Sequence, residues 1–541
     1  MHAASQDVHR SSVKPALQRS LPDAAQTLLE YAGVLLLAAP FYVLTVRNYL
    51  RIDFWFDEVL SLNDFILVPT LTTVTDYRYP NNHVFFNLLT NLALHRLGVH
   101  NIFRLMDRPW IVRSLMLAIS TLALVALYAV GKRFFGRRAG AAAVVILATT
   151  IPFYNFAVQV RGYALSVLLL SILLYFVWGI EEHPTVGRAL GAVTVSALLM
   201  YTIPLNLYVL AAMMTCQAVF GALQVVGRKS GAETRIGSWR AHVTVIACLA
   251  GGVGVSVLLY LPILDHVLHN PTVAPSLDFN PQILLQLMPH TFVHFLSGRT
   301  ALLLALPVGI AAMVRQVRKS GDQTVLKRYL LLFGMLVLPF LFSFIRRDWP
   351  YDRVFVNLVP VAALFLALNL DLALGLAGRA RPKLVILAAL AILVYCGIRF
   401  VGEERQKDSF LREQISAPTH EKKTYTIYEA FFQERYEPNE IARLTADFLA
   451  RARRPLPVFL AAELDKQAFP RLYLQKYGIA FRDVCRSEPR DYPDFTEALL
   501  IATHPRAFET AIREQLPGTR CLRVNPEVMF SNLYYCRKDG T

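Results

Sequence analysis

Charged residues are scarce in this 541-residue chain. Asp, Glu, Lys and Arg together make up 17% of it, against about a quarter in soluble domains. Hydrophobic residues make up 55%, and the mean hydropathy is +0.40. This balance excludes a wholly soluble protein. Apolar stretches recur from residue 25 to about 400, each near the ~20 residues that cross a bilayer. The sequence therefore predicts a polytopic α-helical membrane protein.

Cysteine is also scarce, with six in the chain, so a disulfide-rich scaffold is excluded. Three of them fall in predicted spans and are expected to be small apolar packing residues: Cys216, Cys248 and Cys396. The other three lie near the C-terminus and allow one disulfide in an oxidising compartment: Cys485, Cys521 and Cys536. Cys521 and Cys536 flank two strand-like runs around the turn "NPE", and are the expected pair.

Acidic residues are fewer than basic ones, which gives a net charge of +16. The basic residues cluster in short loops between spans, so the positive-inside rule explains them more simply than nucleic-acid binding does. We predict about eleven spans near residues 25–48, 110–131, 139–157, 161–180, 187–203, 205–225, 242–264, 300–314, 328–345, 354–374 and 384–401. The basic loops then share the cytoplasmic side, and the C-terminus lies outside.

The spans divide the chain into predicted regions. Residues 1–24 form a cytoplasmic tail, and residues 25–401 form the membrane domain with a large first outer loop at 49–109. The first span lacks a small-residue cleavage site and is expected to be an uncleaved signal-anchor. The composition changes after residue 402, where "RRPLPVFLAAELDKQAFPRLYLQKYG" predicts strand, helix and strand. Residues 402–541 are therefore expected to form a small extracytoplasmic α/β domain.

The segment "RIDFWFDEVLSLNDF" places carboxylates directly after the first span. Asp57 and Glu58 follow three aromatic residues, at a depth where acids are costly and usually functional. Asp57 is the candidate general base, with Glu58 as a second catalytic candidate. The alternative is that both carboxylates cap a helix at the membrane surface. The role of Asp53 stays open.

Basic residues reach the same predicted face. The short loop "RRDWPYDR" carries Arg346, Arg347 and Arg353 on the side where the charge rule disfavours arginine. Guanidinium groups suit phosphate well, although snorkelling to lipid headgroups also explains arginines there. Arg161, at the start of a span, is either a phosphate ligand or a side chain that snorkels to the membrane surface. His83, in the first outer loop, is either a phosphate ligand or a structural residue.

Four histidines in another outer loop are spaced three and four residues apart: His266, His269, His290 and His294. Such pairs share a helix face and suit a metal ion, but histidines in a wet loop more often bind none.

The order of these motifs resembles the order found in GT-C glycosyltransferases of the protein O-mannosyltransferase and lipid A aminoarabinose-transferase type. The likeness rests on Asp57-Glu58, on "NNHVFFNLL" from His83, on the Arg-Gly-Tyr-Ala-Leu stretch from Arg161, and on Arg353 before a proline-containing span. Gln159 stands where many members carry an acid, so that acid's role is not carried over. The resemblance covers residues 25 to about 370 and implies a GT-C fold.

The resemblance also implies a function. A polyprenyl-phosphate sugar would be the donor, the acceptor would be a hydroxyl or phosphate of a glycan, lipid or protein on the outer face, and the anomeric carbon would invert. His83, Arg161, Arg346, Arg347 and Arg353 would hold the donor phosphate, in a bacterial inner membrane. No cofactor is implied with certainty; a divalent metal at Asp57 and Glu58 stays open. The alternatives are a lipid-linked sugar flippase or polysaccharide transporter, which should carry charges midway along its spans, and a non-catalytic scaffold.

Overall fold

The computed structural model describes twelve segments of the chain: residues 23–78, 82–229, 238–269, 299–320, 323–346, 352–378, 382–416, 438–462, 468–485, 494–503, 516–526 and 531–540.

Long apolar helices dominate the described segments up to residue 416. Eight of them are long and apolar enough to cross a membrane: Trp110–Phe134, Tyr163–Glu182, Pro204–Val226, Trp239–Leu268, Ala301–Lys319, Thr324–Arg346, Arg353–Gly375 and Ile386–Gln406. A ninth candidate is the pair Ala24–Leu37 and Ala39–Asn48, bent by 59°. Each of these nine coincides with a predicted span.

The two remaining predicted spans are shorter helices. Val186–Thr202 is apolar but has 17 residues. The span predicted at 139–157 is two helices, Arg137–Ala148 and Ile151–Phe156, separated by a break before Pro152. Glycine lets the first of these approach its neighbour, because a Cβ on Gly131 would lie 2.5 Å from the Gly140 Cα.

Short helices fill the first loop between Asn48 and Trp110. They are Phe56–Leu60, a π-helical segment Ser61–Ile66, Thr70–Thr75, Val84–Arg96 and Ile102–Asp107. Further on, 3₁₀ turns at Pro204–Asn206, Leu261–Ile263, Arg299–Leu304 and Asp352–Leu358 adjoin the long helices, and Leu264–Leu268 extends one of them. The helices Leu207–Lys229, Trp239–Tyr260, Ala305–Ser320 and Val359–Gly378 complete the set up to residue 378.

The last membrane helix, Pro382–Ser416, runs well beyond the predicted domain boundary at residue 402. After it, helices Pro438–Arg451 and Ala468–Lys476 accompany a five-stranded sheet. Its strands are β1 (Val458–Ala462), β2 (Arg482–Cys485), β3 (Glu497–Thr503), β4 (Thr519–Arg523) and β5 (Ser531–Lys538).

The strand order is β2-β1-β3-β5-β4. β1 pairs in parallel with β2 and β3, whereas β5 runs antiparallel to β3 and β4. Parallel strands need a crossover connection, and helix Ala468–Lys476 supplies it between β1 and β2. Alternating residues of β3 and β5 fill the core, and Tyr534 and Leu500 face each other there. The predicted fold class is confirmed: a polytopic α-helical membrane protein with a small C-terminal α/β domain.

The expected disulfide joins the last two strands. Cys521 of β4 and Cys536 of β5 are bonded, and the register of the antiparallel pair places them directly opposite each other. The prediction of this pair is confirmed. The pair was predictable because the turn-forming residues "NPE" separate two strand-forming runs in the sequence, which is the pattern of a hairpin.

Candidate active site

Asp57, Arg161 and Arg353 come together at one end of the helical bundle. Asp57 Oδ2 lies 3.3 Å from Arg161 Nη1 and 3.6 Å from Arg353 Nη1. Three separate elements supply them: Asp57 is in the short helix Phe56–Leu60, Arg161 immediately precedes helix Tyr163–Glu182, and Arg353 is in the 3₁₀ turn Asp352–Leu358. Two guanidinium charges thus face one carboxylate, so the cluster carries an excess of positive charge.

The cluster is only partly covered. The side chains of Asp57 and Arg353 are each 16% exposed, whereas that of Arg161 is 3% exposed. Within the part of the chain that the structure describes, Arg161 Nε and Nη1 make no hydrogen bond, although Nη1 forms the ion pair with Asp57. Buried N–H groups without hydrogen bonds are costly, and a bound anion would supply acceptors for them.

Glu58 turns away from Asp57 into the protein. Its side chain is fully buried, and Oε2 accepts hydrogen bonds from Arg113 Nη2 at 3.0 Å and from the N–H of Trp55 at 2.8 Å. Oε1 accepts the N–H of Val160 at 2.8 Å. The bond from Trp55 caps helix Phe56–Leu60, so the capping role considered for both acids fits Glu58. Both oxygens are occupied, which leaves Glu58 no route to a substrate in this arrangement.

His83 lies beside the arginines at the start of helix Val84–Arg96. Its Nδ1 accepts the N–H of Gly162 at 2.8 Å, so in the neutral ring the proton is on Nε2. Burial lowers the pKa of His83 well below its usual range, and the charges of Arg161 and Arg353 lower it further. A neutral imidazole with Nε2–H can donate to an anion.

Gly162 explains part of the Arg-Gly-Tyr-Ala-Leu stretch. A Cβ at this position would lie 2.8 Å from Thr202 Cγ2 and 3.0 Å from His83 Nδ1. Only glycine therefore allows His83 to approach the backbone here. The next residue, Tyr163, packs edge-on against the His83 ring with 5.2 Å between ring centroids. This short stretch thus places both Arg161 and His83.

Tyr77 is a further polar residue of this region. It is 5% exposed, burial raises the pKa of its phenol above the usual range, and the Arg161 charge acts on it in the opposite direction. The phenol is therefore protonated and able to donate a hydrogen bond. Sequence reasoning missed Tyr77 because a tyrosine in a wet aromatic loop carries no signal of its own.

Arg113 was also missed. It is fully buried, and its guanidinium carbon lies 5.2 Å above the centre of the Phe54 ring. Its Nη2 also donates to the Asp53 carbonyl oxygen at 3.0 Å. The available signal was its position four residues into an apolar helix that begins at Trp110, since an ionisable residue there is usually paired or functional.

The remaining predicted site residues divide by location. Arg346 is the last residue of helix Thr324–Arg346. Arg347 lies outside the described residues, as do His290 and His294. His269 Nδ1 contacts Asp265 Oδ1 at 2.9 Å on the surface. Across the described segments, no three His, Cys, Asp or Glu side chains are grouped to hold a metal ion.

One protein-family model matches part of the chain. Residues 97–255, which include Arg113 and Arg161, match the family model described as dolichyl-phosphate-mannose-protein mannosyltransferase. No curated protein sequence matches the chain.

Solved structures align with this chain over most of its length. ArnT from Cupriavidus metallidurans, bound to undecaprenyl phosphate, is 12% identical and has a TM-score of 0.49, with 95% of this chain and 98% of that chain covered. The Archaeoglobus fulgidus oligosaccharyltransferase in complex with Zn and sulfate is 12% identical, with a TM-score of 0.38 and coverage of 91% and 69%.

The archaeal oligosaccharyltransferase AglB from Archaeoglobus fulgidus, with an inhibitory peptide and a dolichol-phosphate, is 12% identical at a TM-score of 0.41, with 94% and 74% covered. The family-model match confirms, for residues 97–255, the predicted resemblance to membrane glycosyltransferases of the protein mannosyltransferase type.

Proposed function

We propose that this membrane glycosyltransferase moves a sugar from a polyprenyl-phosphate donor to an acceptor hydroxyl or phosphate on the outer face of the membrane, with inversion at the anomeric carbon. The observation that carries the proposal is Asp57 between Arg161 and Arg353, a base candidate beside an excess of positive charge at the end of the bundle. The description of the matching family model names a dolichyl-phosphate sugar, which supports this class of donor.

Asp57 is the proposed general base. As an acceptor hydroxyl attacks the anomeric carbon, Asp57 takes its proton, and the bond between that carbon and the phosphate oxygen breaks. The lipid phosphate leaves with the bonding electron pair. Attack opposite the leaving group inverts the anomeric carbon. One new C–O bond replaces one broken C–O bond, and the proton ends on Asp57.

Arg161 and Arg353 are the proposed ligands of the departing phosphate, whose negative charge they would stabilise during bond breaking. They contact Asp57 in the structure described here. A donor phosphate would compete for the same guanidinium groups and so release Asp57 to act as a base. His83 Nε2–H fits as a neutral donor beside them. Arg346 and Arg347 are also proposed as phosphate ligands, because the sequence places them in the same short outer loop as Arg353.

Glu58 is better assigned to positioning than to proton transfer, since Arg113 and two backbone N–H groups occupy its carboxylate. The proposed mechanism assigns no step to a metal ion, and a divalent metal at Asp57 and Glu58 stays a prediction from the sequence.

The proposed orientation of the chain in the membrane rests on the charges of its loops. Lys and Arg cluster in the loops opposite Asp57, which the positive-inside rule assigns to the cytoplasm. Residues 1–24 would then be cytoplasmic, with the first outer loop at 49–109 and the C-terminal domain from 402 to 541 periplasmic, in a bacterial inner membrane. The Cys521–Cys536 disulfide fits an oxidising compartment.

Two measurements test this function. Mass spectrometry of lipid that co-purifies with the protein should detect a polyprenyl phosphate. Purified protein in nanodiscs should then transfer sugar from a synthetic polyprenyl-phosphate sugar, with the anomeric configuration of the product opposite to that of the donor by NMR. Movement of the lipid-linked sugar across proteoliposomes without any transfer would instead identify a flippase.

A further inference from the structure

The C-terminal domain forms hydrogen bonds with residues 53 and 54, which shortly precede Asp57. Asp53 Oδ2 accepts the N–H of Asn439 at 3.0 Å, and the N–H of Phe54 donates to Tyr473 Oη at 3.1 Å. Tyr473 is fully buried although its side chain carries a hydroxyl. Its phenol is therefore enclosed between the C-terminal domain and the loop that precedes the site.

Asp53 supplies a hydrogen-bond acceptor to the N-terminus of a helix. Asn439 belongs to the first turn of helix Pro438–Arg451, where the N–H groups have no acceptor within the helix. A second contact supports the same junction: Lys476 Nζ lies 2.6 Å from Asp107 Oδ1 and donates to Asn439 Oδ1 at 3.0 Å. Two helices of the C-terminal domain thus contact two parts of the first loop.

A short chain of contacts links Asp53 to the site. Arg113 Nη2 donates both to the Asp53 carbonyl oxygen and to Glu58 Oε2, each at 3.0 Å. Glu58 accepts the N–H of Val160, and the chain neighbours of Glu58 and Val160 are Asp57 and Arg161. A shift of the backbone at Asp53 would therefore displace Asp57 relative to Arg161.

We propose that Asp53 is a positioning residue, through which the docked C-terminal domain holds Asp57 at the height of the donor phosphate. The inference rests on the proposed function, because it takes Asp57 as the base. It assigns the C-terminal domain a part in catalysis, although that domain lies outside the matched segment at residues 97–255.

The charges around Asp53 make this junction sensitive to pH. Burial raises the pKa of Asp53 to about 6, and Glu440 contributes in the same direction, whereas the Asn439 N–H, Lys476 and Arg113 oppose the shift. The neighbouring phenol of Tyr473 has its own pKa raised by burial and stays protonated. Because the pKa of Asp53 is raised on docking, docking is strongest below pH 4 and weakens as the pH rises through about 6.

The test uses the full chain in nanodiscs with two readouts: hydrogen exchange of residues 53–60, corrected for intrinsic rates, and transfer kinetics. Asp53→Ala removes the acceptor, Asp53→Asn keeps an acceptor oxygen without the charge, and Tyr473→Phe removes the hydroxyl that accepts from Phe54. Asp494→Ala is the matched control, since it removes an exposed acid paired with Lys538, outside the two helices that contact the first loop.

We expect Asp53→Ala and Tyr473→Phe to speed exchange of residues 53–60 and to lower kcat, by up to the about 10²-fold that a 1 Å misplacement costs. The donor KM should stay near wild type, because both arginines remain. Asp53→Asn should restore protection and kcat and abolish the change of exchange rate near pH 6. Asp494→Ala should match wild type.

Wild-type exchange and kcat in both Asp53→Ala and Tyr473→Phe would overturn the proposal. Faster exchange with an unchanged kcat would also overturn it, since the domain would then dock without positioning the base. If wild-type protein transfers no sugar, the proposed function fails, while the exchange readout still decides whether Asp53 holds the loop.

Discussion

Asp57 and Arg353 lie at opposite ends of the membrane domain in sequence, yet 3.6 Å separates Asp57 Oδ2 from Arg353 Nη1. Arg161, from a third part of the chain, approaches the same oxygen to 3.3 Å. The bundle thus brings one carboxylate and two guanidinium groups to a single point at its end. A phosphate bound there would compete with Asp57 for the arginines, which is the basis of the first prediction.

Arg353→Ala should weaken binding of a polyprenyl-phosphate sugar and slow its transfer, because a charge-assisted contact in a partly buried site is lost. Arg353→Lys should restore part of the affinity, since lysine keeps the charge but not the planar fork. Donor affinity and transfer rate, measured on the same preparations, check this. Arg520→Ala, at a side chain 84% exposed on β4, is the control and should bind normally.

The buried pair of Glu58 and Arg113 should dominate local stability. Arg113→Met leaves a buried carboxylate without its partner, so we expect a loss of about 3–5 kcal/mol. Glu58→Gln should cost less, because the amide oxygen can still accept the Val160 N–H. Thermal unfolding of the two single variants and the double variant measures the interaction energy between the Glu58 and Arg113 side chains. Losses that simply add in the double variant would show that the two groups do not interact.

Much of this arrangement was predictable from sequence, for a physical reason. Spans show as long apolar runs, and Asp57, Arg161 and Arg353 stand out because charges near a bilayer are costly. The turn between Cys521 and Cys536 fixed their pairing locally. The docking of Asp53 on Asn439 and the burial of Tyr473 could not be predicted, because they depend on where a distant domain settles. The burial of Glu58, a catalytic candidate in the sequence, could not be predicted for a related reason: its partner Arg113 is far along the chain.

His83 gives a pH-dependent prediction. Burial holds the pKa of His83 well below its usual value of about 6.5. Below about pH 6.5, His83 of the unfolded chain therefore binds a proton that His83 of the folded protein does not. Stability should therefore fall as the pH drops below about 6.5. His83→Asn keeps an acceptor near the Gly162 N–H but cannot titrate. Its melting temperature should decline less between pH 6.5 and pH 5 than that of wild type; equal declines would contradict the assignment.

The hairpin disulfide should be present in protein purified without reductant. Non-reducing peptide mapping is expected to recover Cys521 and Cys536 in one linked peptide. Reduction should lower the melting temperature of the C-terminal domain, because closing a loop of about 15 residues contributes about 3 kcal/mol. Recovery of both residues as free thiols from freshly purified protein would show that the bond does not form.

Sugar transfer by Asp57→Asn tests the account most directly. The amide keeps the shape of the side chain but cannot take a proton, so transfer should fall by about two orders of magnitude or more. Donor affinity should be at least that of wild type, because Arg161 and Arg353 remain and no longer pair with a charged Asp57. Asp64→Asn, at another acid of the same loop, should behave like wild type. Near-wild-type transfer by purified Asp57→Asn would contradict the assignment of Asp57 as the base and, with it, the position of the active site.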